Sequence, residues 1–304
     1  MTKALVLGGN GFIGKNLVKK LVDNGFEVRS FDLLIPEEKI ERVEYVNGDF
    51  FDKNVLKNVV EGVDIIYHGI CTLNPGNSEQ YYMRGYEKDF VQSIYLCELA
   101  KEMGIKLIFL SSGGTVYGKK RVFPIDESVC TNPINHYGSL KVCIENVIQV
   151  FDVQNEAKML IARIANPYGP GQDYRKGVGF IDAVIKRGLA NETVEIWGDG
   201  EIVRDYIYID DVTDMLLQLS TYEGHHTVFN LSSSNGSSQK EIVNIVSKWI
   251  PELKVEYKSA RKVDVNKLVL SNERMMKIYG KQLVDLETGI CNYIKYIKDN
   301  YGEE

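Results

Sequence analysis

A tyrosine and a lysine four residues apart, Tyr137 and Lys141 in YGSLK, have the types and spacing needed for proton transfer. The spacing places both side chains on one face of a helix, although the same spacing also occurs on surface helices without any chemistry. A free tyrosine has a pKa of about 10, and a neighbouring ammonium group favours its phenolate. The pair is therefore a candidate general base with an activating cation.

A hydroxyl-rich stretch precedes this pair. In residues 107–118, LIFLSSGGTVYG, four apolar residues run directly into two serines, two glycines and a threonine. A plain turn would explain the pattern. In a parallel sheet, however, ligands bind beyond the carboxyl ends of the strands, where glycines admit a ligand and hydroxyls can donate to a developing ketone. Together with YGSLK, the stretch is predicted to be an active-site wall.

The N-terminal segment carries a candidate dinucleotide site. In LVLGGNGFIG, glycines spaced as G-x-x-G-x-x-G separate a predicted strand from a predicted helix, where backbone N–H groups can meet a pyrophosphate. The predicted cofactor contacts of this segment are Gly8, Gly11, Phe12, Ile13 and Gly14. Asp32 closes the second predicted strand, and a carboxylate there can hold both ribose hydroxyls and repel a 2′-phosphate. This favours NAD over NADP; the alternative is a tight turn followed by an exposed aspartate.

The elements that must position these residues alternate along the first half of the chain. Short apolar runs recur about every 25 to 30 residues with amphipathic stretches between them, including one long helical segment at 84–103. This predicts an α/β fold with a Rossmann-type doubly wound parallel sheet, whose strands are buried on both faces. We expect an NAD-binding domain over 1–172 and a smaller α/β substrate lobe over 173–304. Part of 203–232 is expected to return to the first domain, and 232–238 to form a loop.

Composition excludes several classes of protein. The 304 residues carry a net charge of −6 without a cluster of basic residues, which argues against a nucleic-acid partner. No apolar run is long enough for a membrane span, and the N-terminal run is too short for a signal peptide. The five cysteines contain no C-x-x-C pair, so neither a metal site nor a disulfide framework is suggested. We expect a cytoplasmic protein without a membrane partner.

Five motifs occur together in a recognisable order. They are the glycine motif, the strand end SSGGTVYG, YGSLK, the run RIANPYGPGQ at 163–172 and GDGEIVRDYIYIDDV at 198–212. In order and spacing the chain resembles the extended short-chain dehydrogenases/reductases. More narrowly, it resembles the NAD-dependent sugar-nucleotide epimerase/dehydratase family of carbohydrate metabolism, of which UDP-glucose 4-epimerase is a familiar member.

The resemblance implies a reaction and its participants. The implied activity is an NAD-dependent nucleotide-sugar 4-epimerase of the UDP-glucose/UDP-galactose type, working by transient oxidation at C4 and hydride return to the opposite face. Tyr137 would be the general base, and Lys141 would bind the nicotinamide ribose and lower the tyrosine pKa. The partners implied are a nucleotide-diphosphate sugar and a second copy of the chain, held through helices near 84–103 and 136–150.

Further binding residues follow from the same resemblance. Asp49 and Phe50 match the pair that meets adenine. Asn166 and Arg204 match the residues that hold the nucleotide diphosphate, and Arg261 fits a second phosphate-contacting arginine. A candidate residue lining the sugar pocket is Leu268.

Two positions depart from the family pattern. Gly113 stands where the family has its catalytic serine or threonine, so the hydroxyl would come from Ser112 or Thr115. Asp89 stands where the family often has an asparagine, and HGICT replaces small apolar residues after the fourth strand. Two histidines flank these motifs, and we interpret both as packed or capping residues: His68 and His136.

Three alternatives to the epimerase remain. A 4,6-dehydratase is disfavoured because Gly114 and Thr115 occupy the positions of its usual Asp-Glu pair. A nucleotide-sugar 4-ketoreductase is not excluded by any residue. A non-catalytic dinucleotide-binding sensor on the same fold commonly loses the tyrosine or the lysine, and this chain keeps both.

Overall fold

The computed structural model describes residues 1–155, 157–173, 179–259 and 265–301. The strands are β1 (Lys3–Leu7), β2 (Glu27–Asp32), β3 (Val43–Asn47), β4 (Ile65–His68), β5 (Lys106–Ser112), β6 (Met159–Ile164), β7 (Asn166–Tyr168), β8 (Thr193–Trp197), β9 (Val203–Tyr208), β10 (Val228–Leu231), β11 (Gly236–Ser238), β12 (Lys254–Lys258) and β13 (Lys267–Leu268). The helices are α1 (Phe12–Asp23), α2 (Lys53–Val60), α3 (Ser78–Arg84), the π-helix π1 (Gly85–Phe90), α4 (Val91–Met103), α5 (Gly113–Val116), α6 (His136–Asn155), α7 (Phe180–Leu189), α8 (Ile209–Ser220), α9 (Gln239–Ser247), α10 (Glu273–Tyr279) and α11 (Leu286–Tyr301).

Seven parallel strands form the large sheet in the order β10-β6-β5-β4-β1-β2-β3. The apolar runs of β1, β4, β5 and β6 are buried because helices cover both faces of the sheet. The order reverses between β1 and β4, which makes the carboxyl edge there the expected place for a ligand. The predicted Rossmann-type doubly wound sheet is confirmed.

One expectation about the strands is wrong. Not every strand is buried on both faces, because β3 lies at the edge of the sheet and its residues are half-buried or exposed. Among the described residues, no strand pairs with the outer edge of β3.

The later part of the chain builds two smaller sheets. β9 pairs with β7, β11 and β13, and β8 pairs with β12. Helices α7, α9 and α11 pack on these sheets around a third apolar cluster. The segment 203–232 contributes to both the smaller sheets and the large sheet, since β9 belongs to a small sheet and β10 to the large one. The segment 232–238, expected to be a loop, ends in the short strand β11.

The helical segment expected at 84–103 is present, but it is not one regular α-helix. The chain forms π1 and α4 there, with α3 before them. A Cβ on Gly85 would lie 2.4 Å from the side chain of Leu73 and 3.0 Å from that of Leu140, so glycine permits a close approach at the junction. The wider π-turn carries Asp89, which is only 1% exposed and turned toward Thr72.

Two expectations from composition concern the rest of the molecule. The cysteines are all free thiols. Within the described ranges, no helix combines the length and apolar character that crossing a membrane requires.

Candidate active site

The glycine-rich turn lies between β1 and α1 at the carboxyl edge of the large sheet. Gly8 has a φ of +88°, and a Cβ on Gly14 would lie 2.0 Å from the carbonyl oxygen of Gly8. Gly11 caps α1 and supplies no side-chain hydrogen bond to the N–H groups of the first turn, which begins with Phe12 and Ile13. A pyrophosphate fits such a helix N-terminus.

The Asp32 carboxylate lies beside this turn at the end of β2. It accepts the Asn10 N–H at 3.0 Å and the Leu33 N–H at 2.8 Å, one on each oxygen. Each carboxylate oxygen has a second lone pair that ribose hydroxyls can use. The turn and the carboxylate together therefore fit the adenosine half of NAD.

Asp49 and Phe50 follow β3 at the same edge. Asp49 is exposed, and its carboxylate accepts the Phe51 N–H at 2.9 Å. The Phe50 side chain is only 3% exposed and its ring lies 5.2 Å from that of His68. The Phe50 ring belongs to the core, which leaves an adenine contact to its backbone and to the Asp49 carboxylate.

Tyr137 and Lys141 lie on α6, which packs against β5 and α4. Lys141 is 2% exposed, and its Nζ donates to the carbonyl oxygen of Leu110 at 2.9 Å. The same Nζ is 5.6 Å from the centre of the Tyr137 ring and 4.7 Å from that of Phe109. The ammonium group is therefore fixed between the tyrosine and the end of β5.

The charge state of Tyr137 reflects competing influences. Burial raises the pKa of Tyr137 above its ordinary value, and the Lys141 ammonium and the Ser112 hydroxyl oppose that rise. Burial also favours the neutral amine of Lys141, but the surrounding acidic groups raise the pKa of Lys141 overall. The lysine thus acts on the tyrosine in the expected direction, but burial outweighs it, and Tyr137 keeps its proton at neutral pH in the free site.

The three candidate hydroxyl positions differ sharply. Ser112 ends β5 and its side chain lies within hydrogen-bonding reach of Tyr137. The Thr115 Oγ1 atom is buried and has no hydrogen-bond partner among the described residues. A Cβ on Gly113 would lie 2.4 Å from Leu270 Cδ1 and 3.1 Å from the Arg163 carbonyl oxygen. A side chain at 113 would therefore need Leu270 and the backbone of β6 to shift, and the geometry favours Ser112 as the hydroxyl beside the base.

Asp89 is bound to the wall of the site and makes no direct bond to Lys141. Its carboxylate accepts the Thr72 hydroxyl at 2.6 Å and the Thr72 N–H at 3.1 Å. Burial raises the pKa of Asp89, against the opposing effect of these hydrogen bonds and of Lys141. The carboxylate thus holds the HGICT segment in place.

Both flanking histidines are packed. His68 is 1% exposed between the rings of Phe50 and Phe109, and its Nε2 lies 2.9 Å from Ser93 Oγ. Burial lowers the pKa of His68 to about 3, so the ring is neutral. His136 begins α6 and stacks on Tyr82 at 4.4 Å.

A cavity of about 370 Å³ lies among the smaller sheets, beside the carboxyl edge of the large sheet. Asn166 and Arg204 line it, and Asn166 Nδ2 donates to the Asp205 carbonyl oxygen at 2.7 Å. The buried Gln239 Oε1 also lines it and has no hydrogen-bond partner among the described residues. Leu268 is buried next to Arg204 in the β9–β13 pairing, and Arg261 lies outside the described residues.

Of the residues that line this cavity, sequence reasoning singled out Asn166 and Arg204 and missed the others, among them Trp197, Tyr206 and Gln239. Tyr206 was within reach, because side chains two apart on a strand share a face and Arg204 was already singled out. Trp197 ends β8 and Gln239 begins α9, so their meeting with Arg204 depends on tertiary packing that no local pattern carries.

The sheet, the glycine turn and the Tyr–Lys pair define a Rossmann-type enzyme of the extended short-chain dehydrogenase/reductase class. Residues 4–232 match the NAD dependent epimerase/dehydratase family. The chain is 29% identical over 302 residues to a putative UDP-glucose 4-epimerase of Methanocaldococcus jannaschii, which covers 97% of this chain and 98% of that protein. It is 30% identical over 311 residues to the dTDP-4-dehydro-6-deoxyglucose reductase of Escherichia coli, which covers 97% of each.

Among solved structures, the UDP-glucose 4-epimerase of Thermotoga maritima with UDP-glucose matches with a TM-score of 0.90 and 30% identity, over 98% of this chain and 99% of that one. This chain belongs to the NAD-dependent epimerase/dehydratase family. The predictions of the family, of an NAD-dependent enzyme and of NAD as cofactor are confirmed.

Proposed function

We propose that the chain is a 4-epimerase that interconverts UDP-glucose and UDP-galactose. The observation that carries the proposal is the meeting of Tyr137, Lys141 and Ser112 between the glycine turn and the cavity that Arg204 lines. The similar proteins named as UDP-glucose 4-epimerases support it.

The residues present would hold the cofactor on one side of the sugar. The glycine turn would hold the pyrophosphate of NAD, Asp32 the adenosine ribose and Lys141 the nicotinamide ribose. Bound NAD would supply the acceptor, and later the donor, for the hydride of the sugar C4 carbon. The chain's own residues transfer the proton and hold the diphosphate of the substrate.

Proton transfer falls to Tyr137. In the phenolate form, which Lys141 favours, its oxygen takes the proton of the 4-hydroxyl and returns it when the alcohol is restored. Ser112 donates to the C4 oxygen as that oxygen gains carbonyl character. Lys141 stabilises the tyrosinate, since an ammonium group this close favours the charged form of the phenol.

The diphosphate tether falls to Asn166 and Arg204. A guanidinium suits this task because it stays charged and forks onto phosphate oxygens. Held there, the 4-keto sugar can turn its other face to the cofactor without leaving the site. The role of Arg261 as a second phosphate contact stays a proposal from the sequence.

The test is a proton NMR time course with UDP-glucose, catalytic NAD⁺ and no reductant. The signal of UDP-galactose is expected, and Tyr137→Phe is expected to lower kcat by at least about 100-fold because the general base is lost. Tyr82→Phe, a tyrosine that stacks on His136, is the matched control and is expected to keep full activity. Full activity of Tyr137→Phe would overturn the proposal.

A ketoreductase is the second candidate, because the E. coli relative is a reductase of a 4-keto sugar nucleotide. A reductase would consume NADH or NADPH stoichiometrically with such a substrate and would give no epimer under redox-neutral conditions. A dinucleotide-binding sensor would bind NAD and turn over neither substrate.

We also propose that the chain is a homodimer that pairs α4 and α6 with the same helices of a second copy. Three valines on these helices are exposed although apolar: Val91 at 49%, Val150 at 50% and Val153 at 82%. Burial of these side chains against a second copy would remove them from water.

A further inference from the structure

A buried carboxylate lies below the catalytic pair on the same helix. Glu145 follows Lys141 by four residues, as Lys141 follows Tyr137, so the three share one face of α6. Glu145 is 1% exposed and is paired with Arg163 of β6, which is 4% exposed. Arg163 Nη2 donates to Oε2 at 2.7 Å, and Arg163 Nε lies 3.1 and 3.2 Å from the two oxygens. This two-pronged pair fixes α6 against β6.

The same carboxylate also reaches β5. It accepts the hydroxyl of Ser111, the residue directly before Ser112. Side chains two apart on a strand share a face, so Ser111 lies on the same face of β5 as Phe109, whose ring is 4.7 Å from Lys141 Nζ. Lys141 Nζ makes a second link from α6 to β5 through the Leu110 carbonyl oxygen. Contacts on Leu110 and Ser111 therefore tie α6 to the end of β5 directly before Ser112.

The network continues from Arg163 into the rest of the fold. Arg163 Nη1 donates to the Tyr117 hydroxyl at 2.9 Å, and that hydroxyl donates to Asn230 Oδ1 at 2.8 Å. Asn230 Nδ2 in turn donates to the carbonyl oxygens of Ile125 and Ser271, both at 3.1 Å. Such a network rigidifies the core only while every member is satisfied, and here each has a partner.

We propose that Glu145 is a positioning residue of this active site, holding Tyr137 and Lys141 in register with Ser112 through Ser111 and Arg163. The kinetic readout of this role rests on the proposed epimerase function. The proposal also assigns a purpose to a buried ion pair, whose desolvation makes it weak as a simple stabiliser of the fold.

The charges around Lys141 define what the loss of Glu145 would do. Tyr137 and Glu145 face it from α6, Cys71 and His68 from β4 and the segment after it, and Asp89 from π1. His68 is neutral, and Asp89 is hydrogen-bonded to Thr72.

Glu145→Gln removes one negative charge about 12 Å from Tyr137, as eight residues rise about 1.5 Å each along a helix. At an effective dielectric constant of about 20, this favours the phenolate and lowers the pKa of Tyr137 by about half a unit to one unit.

The test compares Glu145→Gln and Ser111→Ala with Asp211→Asn. Asp211 is a matched control because it is 4% exposed and accepts the Tyr279 hydroxyl and the Val284 N–H on α8, away from the site. We expect Glu145→Gln to lower kcat by about 10- to 100-fold with KM changed by less than about threefold, since misplacement of the reacting groups affects the chemical step. The ascending limb of the plot of kcat against pH should move to lower pH by about half a unit to one unit, because the pKa of Tyr137 is lower.

Ser111→Ala keeps the ion pair and is expected to lower kcat by about 3- to 10-fold without moving the limb. Asp211→Asn should lower the melting temperature but leave kcat and the limb at their wild-type values. The proposal is wrong if Glu145→Gln behaves like Asp211→Asn, or, should Glu145→Gln fail to fold, if Ser111→Ala keeps wild-type kcat.

A second readout does not need turnover. The absorbance of tyrosinate is titrated with NAD⁺ bound, and the same titration of Tyr137→Phe in each background is subtracted. The pKa of Tyr137 should be lower in Glu145→Gln than in the wild type, and an unchanged pKa contradicts the proposal. Absence of epimerisation by the wild type would instead count against the proposed function alone.

Discussion

Three hydroxyl side chains around the end of β5 have three different environments. The Ser111 hydroxyl donates to Glu145, and Ser112 lies within reach of Tyr137. The Thr115 Oγ1 atom is buried without a hydrogen-bond partner among the residues described for this chain. Only Ser112 combines contact with the base and a position at the carboxyl edge of the sheet.

Ser112→Ala should therefore lower kcat by about 100- to 1,000-fold, because a donor to the developing carbonyl oxygen is lost. It should also move the ascending limb of the pH profile to higher pH, since the Ser112 hydroxyl lowers the pKa of Tyr137. Steady-state kinetics across pH measure both effects.

Thr115→Val is the control, because valine is about as large as threonine and the hydroxyl that it removes bonds to no described residue. Its activity should stay within about threefold of the wild type, and its stability should not fall, as an unsatisfied buried hydroxyl is costly. A larger loss of kcat in Thr115→Val than in Ser112→Ala would reverse the assignment of the two hydroxyls.

At the scale of elements, the two glycines of the short helix α5 differ in how much space surrounds them. A Cβ at Gly113 would meet Leu270 and the carbonyl oxygens of Arg163 and Ile164, whereas a Cβ at Gly114 would lie at ordinary distances of 3.5 Å from Asn166 Oδ1 and 3.9 Å from Ser112 Oγ. Two adjacent glycines in one helix therefore have opposite tolerance for a side chain.

Gly113→Ala should reduce the free energy of unfolding by about 1–3 kcal/mol, because the core must shift to admit the methyl group. Gly114→Ala should leave it unchanged or raise it by up to about 1 kcal/mol, since alanine is the better helix former. Urea unfolding of both variants measures the difference. Equal stability of the two would mean that Leu270 and β6 give way, and that packing does not dictate glycine at 113.

These elements also mark how far the sequence alone could predict the structure. The glycine turn, Asp32 and the Tyr137–Lys141 face follow from local spacing, which is why they were within reach. The choice between Ser112 and Thr115 depends on which hydroxyl meets Tyr137 of α6, and the space at Gly113 depends on Leu270, which is distant in sequence. In the same way, Gly85 at the start of π1 packs closely against Leu73 and Leu140, which lie outside 84–103, so no periodicity within that range contains this contact.

At the scale of the whole molecule, the cavity lies beside the sheet that contains β9, and the catalytic pair lies beside the large sheet. Buried hydrogen bonds connect the two. The Asp205 carboxylate of β9 accepts the N–H groups of Ser233 and Leu270, and its backbone carbonyl accepts Asn166 Nδ2. Burial raises the pKa of Asp205 to about 6 despite these hydrogen bonds. Asn166, the proposed diphosphate contact, is thus joined through Asp205 to Leu270, which packs beside Gly113 of α5.

The last prediction concerns the proposed dimer, in which α4 and α6 pair with the same helices of a second copy. At equal concentration, sedimentation should show the wild type as a dimer and Val150→Glu as a monomer. A carboxylate buried without a partner at the contact of α4 and α6 should weaken association by at least about 100-fold. Val122→Glu is the control, because Val122 is 79% exposed in the segment between α5 and α6, and it should remain a dimer. A monomeric wild type would contradict the assembly, while a dimeric Val150→Glu would place the contact on another face.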